Sequence, residues 1–104
     1  MIPHAPADTA MALKRERHDP EALAIDALGF LAEDAERIGR FLAITGLEPS
    51  TLRDAAREPL FLVSVLDHLL ADEALLFAYA ANRRIEPESI ADARTRLAGR
   101  PDFE

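Results

Sequence analysis

The sequence predicts an all-α protein, a compact irregular bundle of five or six short helices with a flexible N-terminal arm. Three observations carry this. Apolar residues make up 49% of the 104 positions, and Ala and Leu, both strong helix formers, dominate them. Helix-start signals recur along the chain at Asp19-Pro20, Asp34, Glu48-Pro49, Glu58-Pro59, Asp72 and Glu86-Pro87. No stretch shows the two-residue alternation of a half-buried strand.

Residues 1–18 hold two prolines, several alanines and the charge run Lys14-Arg15-Glu16-Arg17, with no stable period. They are expected to form the flexible arm. The helical domain is expected over 19–99, with 100–104 as a tail. Asp19 can cap free amide groups, and Pro20 suits a first helical position because its missing N–H is not needed there. The first helix should run from Glu21 to about Ala32. Its only interior charge is Asp26, so it belongs inside a bundle.

Asp34 begins the second helix, with Ile38, Phe41, Leu42 and Thr45 on one face. Gly46 can take the left-handed conformation and stop it, and Leu47 is placed to fold back on it. Pro49-Ser50-Thr51 opens a short third helix ending near Arg57, with Leu52 and Ala55 or Ala56 inward. From Pro59 to Ala81 the chain is helical and apolar on most of its circumference, and Asp72 could cap a fresh start within it. The pattern leaves open whether 59–83 is one helix, a kinked one or two. The last helix opens at Glu86-Pro87 and carries one narrow stripe, Ile90, Ala93 or Arg94, and Leu97, before Gly99 and Pro101. The helix at 21–32 and the stretch from Pro59 are expected to form the buried centre.

Composition narrows the functional classes. There is no cysteine, which excludes disulfides, thiolate metal sites and cysteine nucleophiles. The net charge of −7 weighs against general binding to phosphate backbones or anionic membranes. The apolar stretch from Pro59 is interrupted by Asp67, His68, Asp72 and Glu73, so no membrane span is expected. No signal peptide is recognisable, and the expected location is cytoplasmic.

Candidate chemistry is sparse. His68 and Asp72, four apart on a helix, could offer two metal ligands, but a site needs more than a pair. Glu33, Asp34 and Glu36, with Asp26 one or two turns away, form an acidic knot where helix starts normally carry carboxylates. Gly29 and Gly39 lie inside helical patterns, where a small residue would let a neighbouring helix approach closely. The glycines form no phosphate-binding loop, and no serine or threonine sits in a nucleophile context. No catalytic residue, cofactor or metal is expected, and the chain is read as non-enzymatic.

The stretch Phe41 to Arg53 reads helix, Gly-centred turn, then Ser-Thr-Leu-Arg. It is similar to a helix-turn-helix and resembles that of the mercury-resistance class of regulators, where a Gly-hydrophobic turn precedes a Thr-Leu-Arg. The resemblance implies base or phosphate contacts from Ser50, Thr51, Arg53 and Arg57 in a degenerate motif over 41–57. Asp54-Ala55-Ala56 departs from the aromatic-rich continuation of that class, Pro59 cuts the second helix short, and no basic wing follows. Between Ile38 and Glu58, Arg40, Arg53 and Arg57 balance Glu48, Asp54 and Glu58.

A wider resemblance covers Pro20 to Ala98. It is carried by Ala-Leu-Gly-Phe-Leu-Ala (27–32), Arg-Phe-Leu-Ala-Ile-Thr-Gly-Leu (40–47), Leu52-Arg53, Pro-Leu-Phe-Leu (59–62) and Val-Leu-Asp-His-Leu-Leu-Ala-Asp-Glu (65–73). These segments resemble a family of short uncharacterised helical proteins typical of alphaproteobacteria, a domain of unknown function. The resemblance implies a bacterial cytosolic helical protein and no site residues. Two readings of function follow. The first is a non-enzymatic interaction module, a homodimer or an adaptor, because the apolar supply, including Leu75, Leu76, Phe77 and Tyr79, is generous for so small a surface. The second is a DNA-binding regulator using 41–57.

Overall fold

A computed structural model describes residues 19–99. The expected N-terminal arm (1–18) and C-terminal tail (100–104) lie outside the described residues. The chain folds into six α-helices with no strand among the described residues: α1 (Pro20–Ala32), α2 (Ala35–Thr45), α3 (Leu52–Ala55), α4 (Pro59–Leu70), α5 (Glu73–Arg83) and α6 (Pro87–Ala98). A 3-10 turn, Pro49–Thr51, leads directly into α3.

The helix starts follow the chemistry of their caps. The Asp19 carboxylate accepts from the Ala22 N–H at 2.8 Å, and that of Asp34 accepts from the Glu36 and Arg37 amides at 2.8 and 3.2 Å. Asp72 does the same for Leu75 at 3.2 Å. Each satisfies amides that have no partner inside the helix. Pro20, Pro59 and Pro87 occupy first helical positions. Asp72 also resolves the apolar stretch from Pro59 into two helices, since Ala71 and Asp72 interrupt α4 and α5.

The helix ends are more varied. Gly46 terminates α2 in the left-handed region at φ +78°, its N–H donating to the Leu42 carbonyl. Arg84 ends α5 in the same region at φ +59°, without the freedom of glycine. Gly29 and Gly39 do not mediate the close helix approach expected of them. A β-carbon added at either would meet no neighbour within 4 Å, because both face away from the packed side of their helices.

The core is built where α1, α4 and α6 pack on one another. It includes Leu23, Ala27 and Leu31 of α1, Leu62, Leu66 and Leu69 of α4, and Ile90, Ala93 and Leu97 of α6. The narrow stripe of α6 is therefore enough to make it a central helix, beyond the two expected. Ala93 rather than Arg94 completes that stripe, and Arg94 turns outward to Asp67 at 2.7 Å. Helix α2 packs on α1 and buries one residue fully, Phe41. Helix α5 packs on α4 and α6 and buries Tyr79 and Ala80.

Candidate functional site

Two parts of the molecule carry chemistry beyond core packing. One is a polar clasp between α1 and α5. The other is the thinly covered segment from the end of α2 to the start of α4.

The clasp centres on Tyr79, which is 1% exposed and lies edge-on to Phe30 at 5.2 Å between ring centres. Its hydroxyl donates to the Asp26 carboxylate at 2.7 Å. Arg83, one turn further along α5, donates to Asp26 at 2.9 Å and to Glu33 at 3.2 Å, and also to Asn82. Burial, then the hydrogen bond to Asp26, raises the Tyr79 pKa well above its ordinary value. The same carboxylate raises that of Arg83. An open pocket of about 340 Å³ adjoins this clasp, lined by Asp19, Ala22, Leu23, Asp26, Tyr79, Arg83 and Ile85. Its charged groups are already committed, Asp19 to the α1 cap and Asp26 and Arg83 to one another. The arrangement ties α5 to α1.

The acidic knot does not assemble as paired carboxylates. Asp34 caps α2, Glu33 turns to Arg83, and Glu36 is exposed. The clasp itself was not anticipated from the sequence. Two signals were present: Asp26 as the single charge inside an apolar helix, and Tyr79 and Arg83 four apart on one helical face.

His68 is half-buried, edge-on to Phe41 at 5.1 Å between ring centres. Its pKa is lowered, first by burial, with Asp72 opposing and Arg40 adding to the effect. The neutral imidazole is therefore favoured. Among the described residues no three His, Cys, Asp or Glu side chains are grouped to hold a metal ion. No helix of the described residues is long and apolar enough to cross a membrane.

The segment 42–61 is built differently from everything around it. Not one of its residues is buried. Leu42, Leu47, Leu52, Ala55, Ala56 and Phe61 are half-covered, while Ile44 is 67% and Leu60 70% exposed. The Phe41 and Phe61 rings meet edge-on at 5.9 Å, which brings the C-terminal half of α2 beside the first turn of α4. Those are the parts that carry Ile44 and Leu60. Local bonds hold the connector: the Thr45 hydroxyl donates to the Phe41 carbonyl at 3.0 Å, and that of Thr51 to the Glu48 carbonyl at 2.8 Å.

Ser50, Thr51, Arg53 and Arg57 are all exposed along this segment. Ser50 and Thr51 lie in the 3-10 turn, Arg53 lies in α3, and Arg57 follows it. Neither arginine makes an ion pair among the described residues. The helix they flank has four residues rather than a run reaching Arg57, because Ala56 and Arg57 turn toward Pro59.

The fold and these sites define a small all-α bundle with an internal polar clasp and one sparsely covered edge. The chain belongs to the family described as Protein of unknown function (DUF3572), which it matches over residues 17–100. No curated protein and no solved structure matches it.

Proposed function

We propose that this chain is a non-enzymatic protein-interaction module, acting as a homodimer or an adaptor, with segment 42–61 as its contact surface. The observation that carries the reading is that, among the described residues, Ile44 and Leu60 are the two most exposed large apolar residues and both fall in a segment with no buried residue. Apolar exposure in a stretch of chain with no buried residue is what a contact surface leaves behind when its partner is absent, whereas exposed apolar residues on otherwise buried helices are ordinary. Ile25 on α1 and Phe77 on α5 are of that second kind, at 47% and 52%. The cytoplasm is the proposed setting, a reading that rests on composition.

The test is cross-linking in the native host with the full chain. The wild type is expected to trap a defined species that the double variant Ile44→Glu/Leu60→Glu does not. Equal trapping by both would remove this surface from the reading.

A DNA-binding role would use the same segment. In its favour, Ser50, Thr51, Arg53 and Arg57 are all exposed and the two arginines hold no ion pair among the described residues. A shift assay on random duplex should then show affinity that falls steeply with salt, by roughly one power of salt concentration per phosphate contact. Absence of any shift at low salt removes that reading.

A further inference from the structure

We propose that the joint between α2 and α4 is a pH-sensitive device, in which protonation of His68 loosens the seat of Phe41 and lets α2 open while the α1–α4–α6 body stays folded. The device does not depend on what segment 42–61 meets. Phe41 is the one residue of α2 that is fully buried. Phe61 and His68 are seven positions apart, so they share one face of α4 and lie about 10 Å apart along it. The Phe41 ring is edge-on to both, at 5.9 Å and 5.1 Å between ring centres. Those two distances span the gap, so the ring stands between Phe61 and His68 as a peg that fastens α2 to α4.

Of the three rings only the imidazole titrates near neutrality. It is half-buried, and it holds no hydrogen bond or ion pair among the described residues. A proton placed there charges a ring packed on apolar surface. Arg40, next to Phe41 on α2, acts against the imidazolium, whereas Asp72, the cap of α5, favours it. Asp67, beside it on α4, is turned to Arg94 of α6, and Asp26 and Glu33 of α1 are held by Arg83 of α5. Burial is the largest of the influences on His68, and with Arg40 it outweighs Asp72, so the folded protein holds the imidazole below its ordinary pKa of 6.5. The stability that the neutral ring confers is therefore fully present above pH 6.5 and is lost as pH falls from there through the lowered folded value. Lifting Phe41 away returns the ring to water and gives up one buried residue of α2, while α1, α4 and α6 keep their common core. Opening at this joint is thus the least costly way to accommodate the proton.

Native-state hydrogen exchange of the full chain at about pH 5.5 and about pH 7.5, corrected for intrinsic rates, tests this together with a magnetic-resonance titration of His68. The amides of α2 should exchange faster than those of α6, and their protection should be roughly threefold lower, or more, at the acid pH. His68 should titrate below 6.5. Arg40→Gln should raise that midpoint, and Asp72→Asn, which keeps a capping side chain, should lower it. His68→Phe retains a ring against Phe41 and should abolish the difference in α2 between the two pH values. If that variant does not fold, the titration of the wild type and of Arg40→Gln decides. A His68 midpoint at or above 6.5 overturns the proposal, as does α2 protection that is the same at both pH values. Protection of α2 and α6 that falls together to one common value also overturns it, because the whole chain then opens rather than the joint.

Discussion

The α1–α4–α6 body and the segment 42–61 are made from similar residues and used in opposite ways. Leu66 and Leu60 sit on the same helix, α4, one without solvent exposure and the other 70% exposed. In the body, three helices contact one another and each leucine is enclosed from several directions. In the segment, the end of α2 and the start of α4 are joined only by a 3-10 turn and a four-residue helix, neither of which covers the Ile44 and Leu60 that those longer helices carry. The lesson is that apolar content does not state its use. Stability is stored where helices long enough to pack meet, and Ile44 and Leu60, beyond that region, stay exposed to solvent.

The widest separation between the two regions should appear on truncating their leucines. Leu66→Ala in the body should cost about 2–5 kcal/mol, the transfer loss plus the cavity left behind. Leu60→Ala should move stability by no more than about 0.5 kcal/mol. Urea denaturation of both variants checks this. A large cost at Leu60 would mean that the segment contributes to the core after all.

The clasp should show an intermediate effect. Tyr79→Phe keeps the ring against Phe30 and deletes only the donor to Asp26, and should cost about 1–2 kcal/mol near neutral pH. Because the folded protein holds the Tyr79 proton above the ordinary pKa of 10.0, its contribution is fully present below pH 10.0 and is lost as pH rises from there through the raised folded value. Denaturation midpoints measured across alkaline pH should fall for the wild type, and that component should vanish in Tyr79→Phe. It is the sole tyrosine, so its ionisation can be followed directly.

Glycine substitutions give the smallest effects and opposite signs. Gly29→Ala meets open space in a helix and should stabilise by about 0.5–1 kcal/mol. Gly46→Ala places a side chain in the left-handed region at the head of the segment and should destabilise by about 1 kcal/mol. Thermal unfolding of the pair separates backbone conformation from packing. Destabilisation by Gly29→Ala would restore the close-approach role expected from the sequence.

Much of the fold is legible in the chain because its signals are local. Asp19-Pro20, Asp34 and Gly46 act within one helical turn of themselves, so their roles can be read without knowing what packs nearby. Asp72 was ambiguous because a continuing helix would also tolerate it. The four-residue length of α3 was missed for a related reason, since the pull of Pro59 on Ala56 and Arg57 competes with a good helical composition. The candidate site was less legible. Ser50, Thr51, Arg53 and Arg57 could be named from a motif, but the exposure of Ile44 and Leu60 could not, because nothing in their neighbours in sequence distinguishes them from Phe41 or Leu62.

By itself, then, the sequence determined that this protein is all-α, where most of its helices begin, and that the stretch from Pro59 is interrupted by charge. Those properties follow from backbone propensity and capping, which act over a few residues. Only the tertiary structure decided that α6 joins the core, that Asp26, Tyr79 and Arg83 form one clasp, that Gly29 faces open space, and that apolar residues of 42–61 remain uncovered. Each depends on which helices meet, and residues more than fifty positions apart, such as Asp26 and Tyr79, carry no local mark of one another.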